Sequence, residues 1–183
     1  MTRKSIFLTI TILFSALFPL GAEQSSSSKF YIGYEAGWGA PFGWSLATAW
    51  APRSDFDIHG GLGLNFSGFK AGLGGRYIYS ITSDIGLHGG MALAYSSGSK
   101  IDFGIRDPDS QSIYRYGVDN IIHLRTGVRF VDDSMVVLLT IGWGFALKND
   151  DALFVSGVNS YGSTAKLFKA GGFEASMSML FSL

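Results

Sequence analysis

The 183-residue chain contains no cysteine, which removes a disulfide framework, a thiolate metal site and a thiol nucleophile together. It carries no excess of either charge, with 14 basic and 14 acidic residues, so nothing draws it electrostatically to nucleic acid. It also lacks an apolar run of the roughly 18 or more residues that a membrane-spanning helix needs. The longest such run, Ile6 to Leu20, follows Thr2-Arg3-Lys4 and precedes Leu20-Gly21-Ala22. That order of basic, apolar and small residues is the pattern of a secretory signal peptide. Residues 1–22 are therefore expected to be a signal peptide cut after Ala22, 23–28 a polar spacer, and 29–183 a single folded domain.

Proline is scarce at four residues, whereas glycine is abundant at 25 and aromatics make up 15%. Glycine disfavours helices and aromatic side chains suit pleated surfaces, so the composition points to many strands joined by turns. Periodicity agrees. In "FYIGYEAGW", Phe30, Ile32, Tyr34, Ala36 and Trp38 share one face, and Tyr31, Gly33, Glu35 and Gly37 the other. The same alternation of two recurs in "FGWSLATAW", with Phe42, Trp44, Leu46, Thr48 and Trp50 on the apolar face, and then from Phe56, Phe69, Ile85, Ile122, Val137 and Phe173 onward. Turns are expected at Pro52–Asp55, Ser67-Gly68, Thr82–Asp84 and Asp132–Ser134. The reading yields about eight antiparallel strands, each near the roughly 9–11 residues that cross hydrocarbon when tilted.

No Asp, Glu, Lys, Arg or His falls on the apolar parity of any strand, whereas Glu35, Asp57, His59, Lys70, Arg76, His88, His123, Arg125, Arg129, Lys148 and Glu174 fall on the other. On the strand that carries Val137 to Leu147 outward, Val136 and Leu138 interrupt the polar parity. A soluble barrel buries its apolar parity and a membrane barrel turns it outward. Three features favour the second. Trp38, Trp44, Trp50, Tyr77, Tyr79, Tyr95 and Trp143 gather toward strand ends, where interfacial girdles lie. The polar parity is dominated by glycine, alanine and serine, leaving room in a narrow lumen for a few long charged side chains. Short links at 51–55, 82–84 and 131–134 fall on one side and two long segments on the other, the asymmetry of outer-membrane barrels.

In these respects the chain resembles the small eight-stranded outer-membrane β-barrel proteins, the class of the OmpA transmembrane domain, OmpX and the opacity-type surface proteins. The resemblance spans nearly all of 29–183 and rests on pattern. It implies an eight-stranded antiparallel up-and-down transmembrane β-barrel in the cell outer membrane, with the lipid bilayer as its solvent. It also implies handling by the barrel-assembly machinery through a C-terminal signal, here Phe173, Met177, Met179, Phe181 and Leu183. The typical final aromatic is replaced by Leu183, with Phe181 two places earlier. A monomer is expected.

Within the lumen an unpaired charge is costly, so the inward ionisable groups should meet one another. Glu35 and Glu174 lie on the first and last strands, which closure makes neighbours. They are expected to face Arg76 and Arg125, with Arg129 nearby, as a plug. His59 and His88 are expected low in the lumen and His123 near the outer rim, too far apart to share one metal ion; no metal or cofactor is expected. The His-Gly-Gly runs at His59 and His88 have no Gly-x-Ser-x-Gly companion, and "GLGLNF" opens no helix, so neither motif indicates catalysis. Some barrels of this size modify lipid A, and His123 and Asp119 with a loop serine would be the candidates. A narrow pore is the other alternative. The preferred expectation is a non-enzymatic structural or surface-interaction protein, with any partner meeting the long loops 96–119 and 149–166.

Overall fold

The computed structural model describes residues 28–103, 112–148, 153–157 and 171–183. The expected signal peptide, nearly all of the spacer and much of both long loops lie outside the described residues. Eight strands form a closed antiparallel barrel: β1 Lys29–Trp38, β2 Trp44–Arg53, β3 Phe56–Asn65, β4 Gly68–Ser80, β5 Ile85–Ser96, β8 Asp119–Asp132, β9 Met135–Ala146 and β11 Gly172–Ser182. Three short strands, β6 Ser99–Phe103, β7 Ser112–Tyr116 and β10 Leu153–Gly157, make a separate sheet in the order β10-β7-β6. Sequence neighbours pair around the wall, and β1 closes it by pairing with β11, Glu35 lying opposite Ser178 and Ile32 opposite Phe181. Closure leaves no open strand edge in the wall, which is what lets a sheet cross hydrocarbon.

The alternation sets the two faces. Trp44, Leu64, Leu73, Tyr79, Ile141, Trp143 and Phe173 are more than half exposed on the outside. Glu35, Asp57, Lys70, Arg76, Arg125 and Glu174 are buried inside. The barrel is thus apolar without and ionisable within. The aromatic residues Trp38, Trp50, Tyr77 and Tyr95 also stand exposed on the outer wall, with Trp50 stacked on Phe30 at 6.0 Å. Phe173, Met177, Met179, Phe181 and Leu183 face outward along β11, and the Leu183 amide donates to Phe30 O at 2.9 Å. One mouth, the turn end, is ringed by the β2–β3, β4–β5 and β8–β9 turns. The other, the loop end, carries the remaining connections.

Two turns differ from the expected pattern, with consequences for the lumen. Continuing the alternation back from Trp44 sets Phe42 outward, but Phe42 is buried inside the barrel. It belongs to the Gly39–Gly43 turn, where Gly39 at φ 65° and Gly43 at φ 71° reverse the chain and break the parity; these left-handed conformations are strained for any residue with a Cβ. The β3–β4 turn centres on Phe66-Ser67 rather than Ser67-Gly68, because the Asn65 side chain accepts from the Ser67 amide (2.6 Å) and hydroxyl (2.7 Å). That shift of register places Asp57 opposite Arg76.

Candidate functional site: the lumen

Five bulky inward side chains are each registered with a glycine on an adjacent strand: His59 with Gly74, Arg76 with Gly90, His88 with Gly127, His123 with Gly144, and Arg125 with Gly142. The spacing explains the pairing. A Cβ at Gly74 would stand 2.8 Å from His59 Nε2, and one at Gly144 2.9 Å from His123 Cε1. Eight strands enclose an interior that side chains can only just fill, so these large residues take the room their glycine neighbours give up.

Arg125, on β8, is the centre of the network. Its Nε donates to Glu174 Oε1 at 2.8 Å, and its Nη2 to Glu35 Oε2 at 3.0 Å and to Ser176 Oγ at 3.2 Å. Ser176 Oγ donates to Glu174 Oε1 and Ser178 Oγ to Glu35 Oε2, each at 2.9 Å. His123 Nδ1 is 3.2 Å from Glu174 Oε2, and His59 Nε2 is 3.5 Å from Arg125 Nη1. One planar guanidinium thus ties the first strand to the last through two carboxylates, a geometry that a point-charge lysine cannot reproduce.

Arg76 does not face the glutamate pair. Its Nε donates to Asp57 Oδ1 at 2.9 Å, and His59 Nδ1 lies 3.3 Å from the same oxygen. The reason is the β3–β4 register: parity placed Asp57 inward, but only the correct turn centre sets it against Arg76. Arg129, half-buried, stands apart from the Arg125 cluster beside Tyr31. His123, four residues from the loop end of β8, is fully buried against Glu174. His88 sits 3.3 Å from Thr140 Oγ1, so the three histidines have three different partners. Among the described residues no group of three or more His, Asp or Glu is placed to hold a metal ion. Asp119 and His123 are four residues apart on one strand, about 13 Å along its axis, and Asp119 accepts from the Lys148 amide at 3.0 Å.

Parity alone does not reveal two further parts of the lumen. At the loop end, Phe42 lies over Gly61 and Gly72, in edge contact with His59 at 6.1 Å between centroids, while Lys70 Nζ, itself buried, donates to Ala40 O at 3.1 Å. The turn is folded into the mouth of the barrel. Toward the turn end, Val136 and Leu138, which interrupt the polar parity of β9, join Tyr31, Ala47, Ala49 and Leu180 in a buried apolar cluster. Outside the barrel, Tyr114 and Tyr116 are buried in the loop sheet, where burial pushes the Tyr116 phenol up to about 12. Tyr114 meets Phe154 edge-on at 5.6 Å, and Leu153, Phe154 and Val155 are exposed on β10.

No family model matches the chain, and none of the curated proteins compared with it does. Among solved structures it is similar to the N-terminal β-barrel domain of Pseudomonas aeruginosa OprF, with a TM-score of 0.50 at 9% identity, over 85% of this chain and 96% of that one. At that identity the likeness is one of fold, and the fold it shows is the closed eight-stranded antiparallel barrel.

Proposed function

We propose that the chain is an integral outer-membrane β-barrel protein with a structural or surface-interaction role, its lumen closed by an internal charge network rather than open as a pore. The observation that carries this reading is the division of the wall: a continuous apolar exterior around a lumen that holds Glu35, Asp57, Lys70, Arg76, Arg125 and Glu174. A water-soluble barrel would expose those charges and bury the tryptophans. The OprF barrel domain, whose fold this chain shares, supports the same location. We further propose a monomer, inserted by the barrel-assembly machinery through β11, with no catalytic role; Asp119 and His123 lie too far apart to share a substrate proton. The exposed Leu153–Val155 patch beside the paired strands β6 and β7 is the favoured meeting place for a partner.

Lipid contact has a direct test. Ile141, outward at the middle of β9, and Leu147, just beyond its end, are both more than half exposed. Ile141→Arg is expected to cost about 2–4 kcal/mol of folding stability in phosphatidylcholine vesicles and Leu147→Arg about 0–1, because the cost of a lipid-facing charge depends on depth. Urea titration followed by tryptophan fluorescence measures both. Equal, small effects at the two sites would contradict embedding. Closure of the lumen is tested in planar bilayers, where the folded protein is expected to give no steady conductance.

A further inference from the structure

Between the charge network and the turn-end mouth the barrel is not filled. A cavity of about 440 Å³ opens there, within the range of about 300–1,000 Å³ typical of small-ligand pockets. Its walls are of two kinds. Val136, Leu138 and Leu180 of the buried apolar cluster line one part of it. Beside them, in register with Leu138, stands Arg129, and Arg76, Lys29 and Arg53 complete the basic part of the lining. The charges are not equivalent. Arg76 is bound to Asp57, and Arg53 to Asp55 at 2.7 Å. Arg129 has Tyr31 beside it, and none of the carboxylate bridges among the described residues includes it. Among the described residues Asp57 is the only acid in the lining, and it is engaged by Arg76.

A half-buried guanidinium without a carboxylate, standing beside an apolar surface in a space of ligand size, matches one kind of molecule: a head bearing a carboxylate or phosphate on a short hydrocarbon chain. We propose that this turn-end vestibule binds a single-chain anionic amphiphile, its head on Arg129 and its chain against Val136, Leu138 and Leu180. The head group forms charge-assisted bonds with the guanidinium fork, and the chain covers apolar surface that would otherwise face water. The cavity and its lining carry this assignment whether or not the lumen conducts.

The test uses the full folded chain in phosphatidylcholine nanodiscs, with empty nanodiscs as the reference. Octanoate and octyl phosphate, titrated calorimetrically, are expected to bind saturably at one site. Octanol, acetate and inorganic phosphate are expected to bind at least about tenfold more weakly, a difference of about 1.4 kcal/mol for either half of the ligand. Arg129→Gln is expected to lower octanoate affinity about tenfold and Arg129→Lys to restore part of it, while Lys148→Gln at the opposite end changes nothing. Should Arg129→Gln fail to fold, the wild-type protein still decides: the octyl chain is expected to show nuclear Overhauser effects to the methyl groups of Val136, Leu138 and Leu180. Binding no greater than to empty nanodiscs would overturn the proposal. So would the absence of those effects, or inorganic phosphate binding as tightly as octyl phosphate.

Discussion

Arg125→Met is expected to destabilise the barrel by about 3–5 kcal/mol, because it leaves two buried carboxylates with no cation between them. Glu35 and Glu174 are 3% and 0% exposed, so water cannot take over the two bonds that the guanidinium makes to them. Ser176 and Ser178 still donate one hydrogen bond to each acid, but a hydroxyl dipole does not neutralise a charge. The measurement is the urea midpoint of protein folded into lipid vesicles. The companion variant is the triple substitution Arg125→Met, Glu35→Gln, Glu174→Gln. It is expected to recover most of the loss, since replacing a whole buried ion cluster by neutral groups is often near neutral, whereas removing one member is not. A triple variant as unstable as the single one would show that packing around Arg125, rather than charge, holds the strands.

The pairing of Glu35 with Glu174 through Arg125 was legible in the sequence for a simple reason. Period-two alternation fixes which side a residue faces, and barrel closure makes the first and last strands neighbours, so two inward acids on those strands must converge. Height within the lumen was not legible to the same degree. It depends on strand register, and register depends on turn centres, which a two-residue Ser-Gly signal locates only to within one position. The Asp57–Arg76 pair shows how much that one position matters: with the turn at Phe66-Ser67 the two residues are equidistant from it and meet, and with the turn one residue later Asp57 faces Ile78. The burial of His123 has the same origin, because its depth follows from the pairing of β8 with β5 and β9 and not from its own segment. Val136 and Leu138 carried a signal of another kind. Their violation of the polar parity marked a place where the lumen itself is apolar, and the vestibule wall lies there. The glycines also carried information that composition alone conceals, since most of those on the inward parity mark a large side chain on the next strand.

Phe42→Ala is expected to cost about 3–5 kcal/mol, the range for truncating a buried phenylalanine where the surroundings cannot collapse. The surroundings here are Gly61 and Gly72, held by the ladders of β3 and β4, and the edge of His59; none of them can move inward to fill the gap. The effect on conduction is expected to be different in kind. Beneath the phenyl ring the Arg125 cluster still spans the lumen from β1 to β8, so Phe42→Ala alone should remain closed in planar bilayers. Arg125→Met alone should also remain closed, because the Gly39–Gly43 turn stays in the mouth with Lys70 donating to Ala40 O. Only the double variant, which thins both barriers, is expected to show stepwise openings. On the proposed reading of a closed lumen, this combination separates a plugged barrel from a gated pore: steady current through either single variant would mean that one element by itself is the gate.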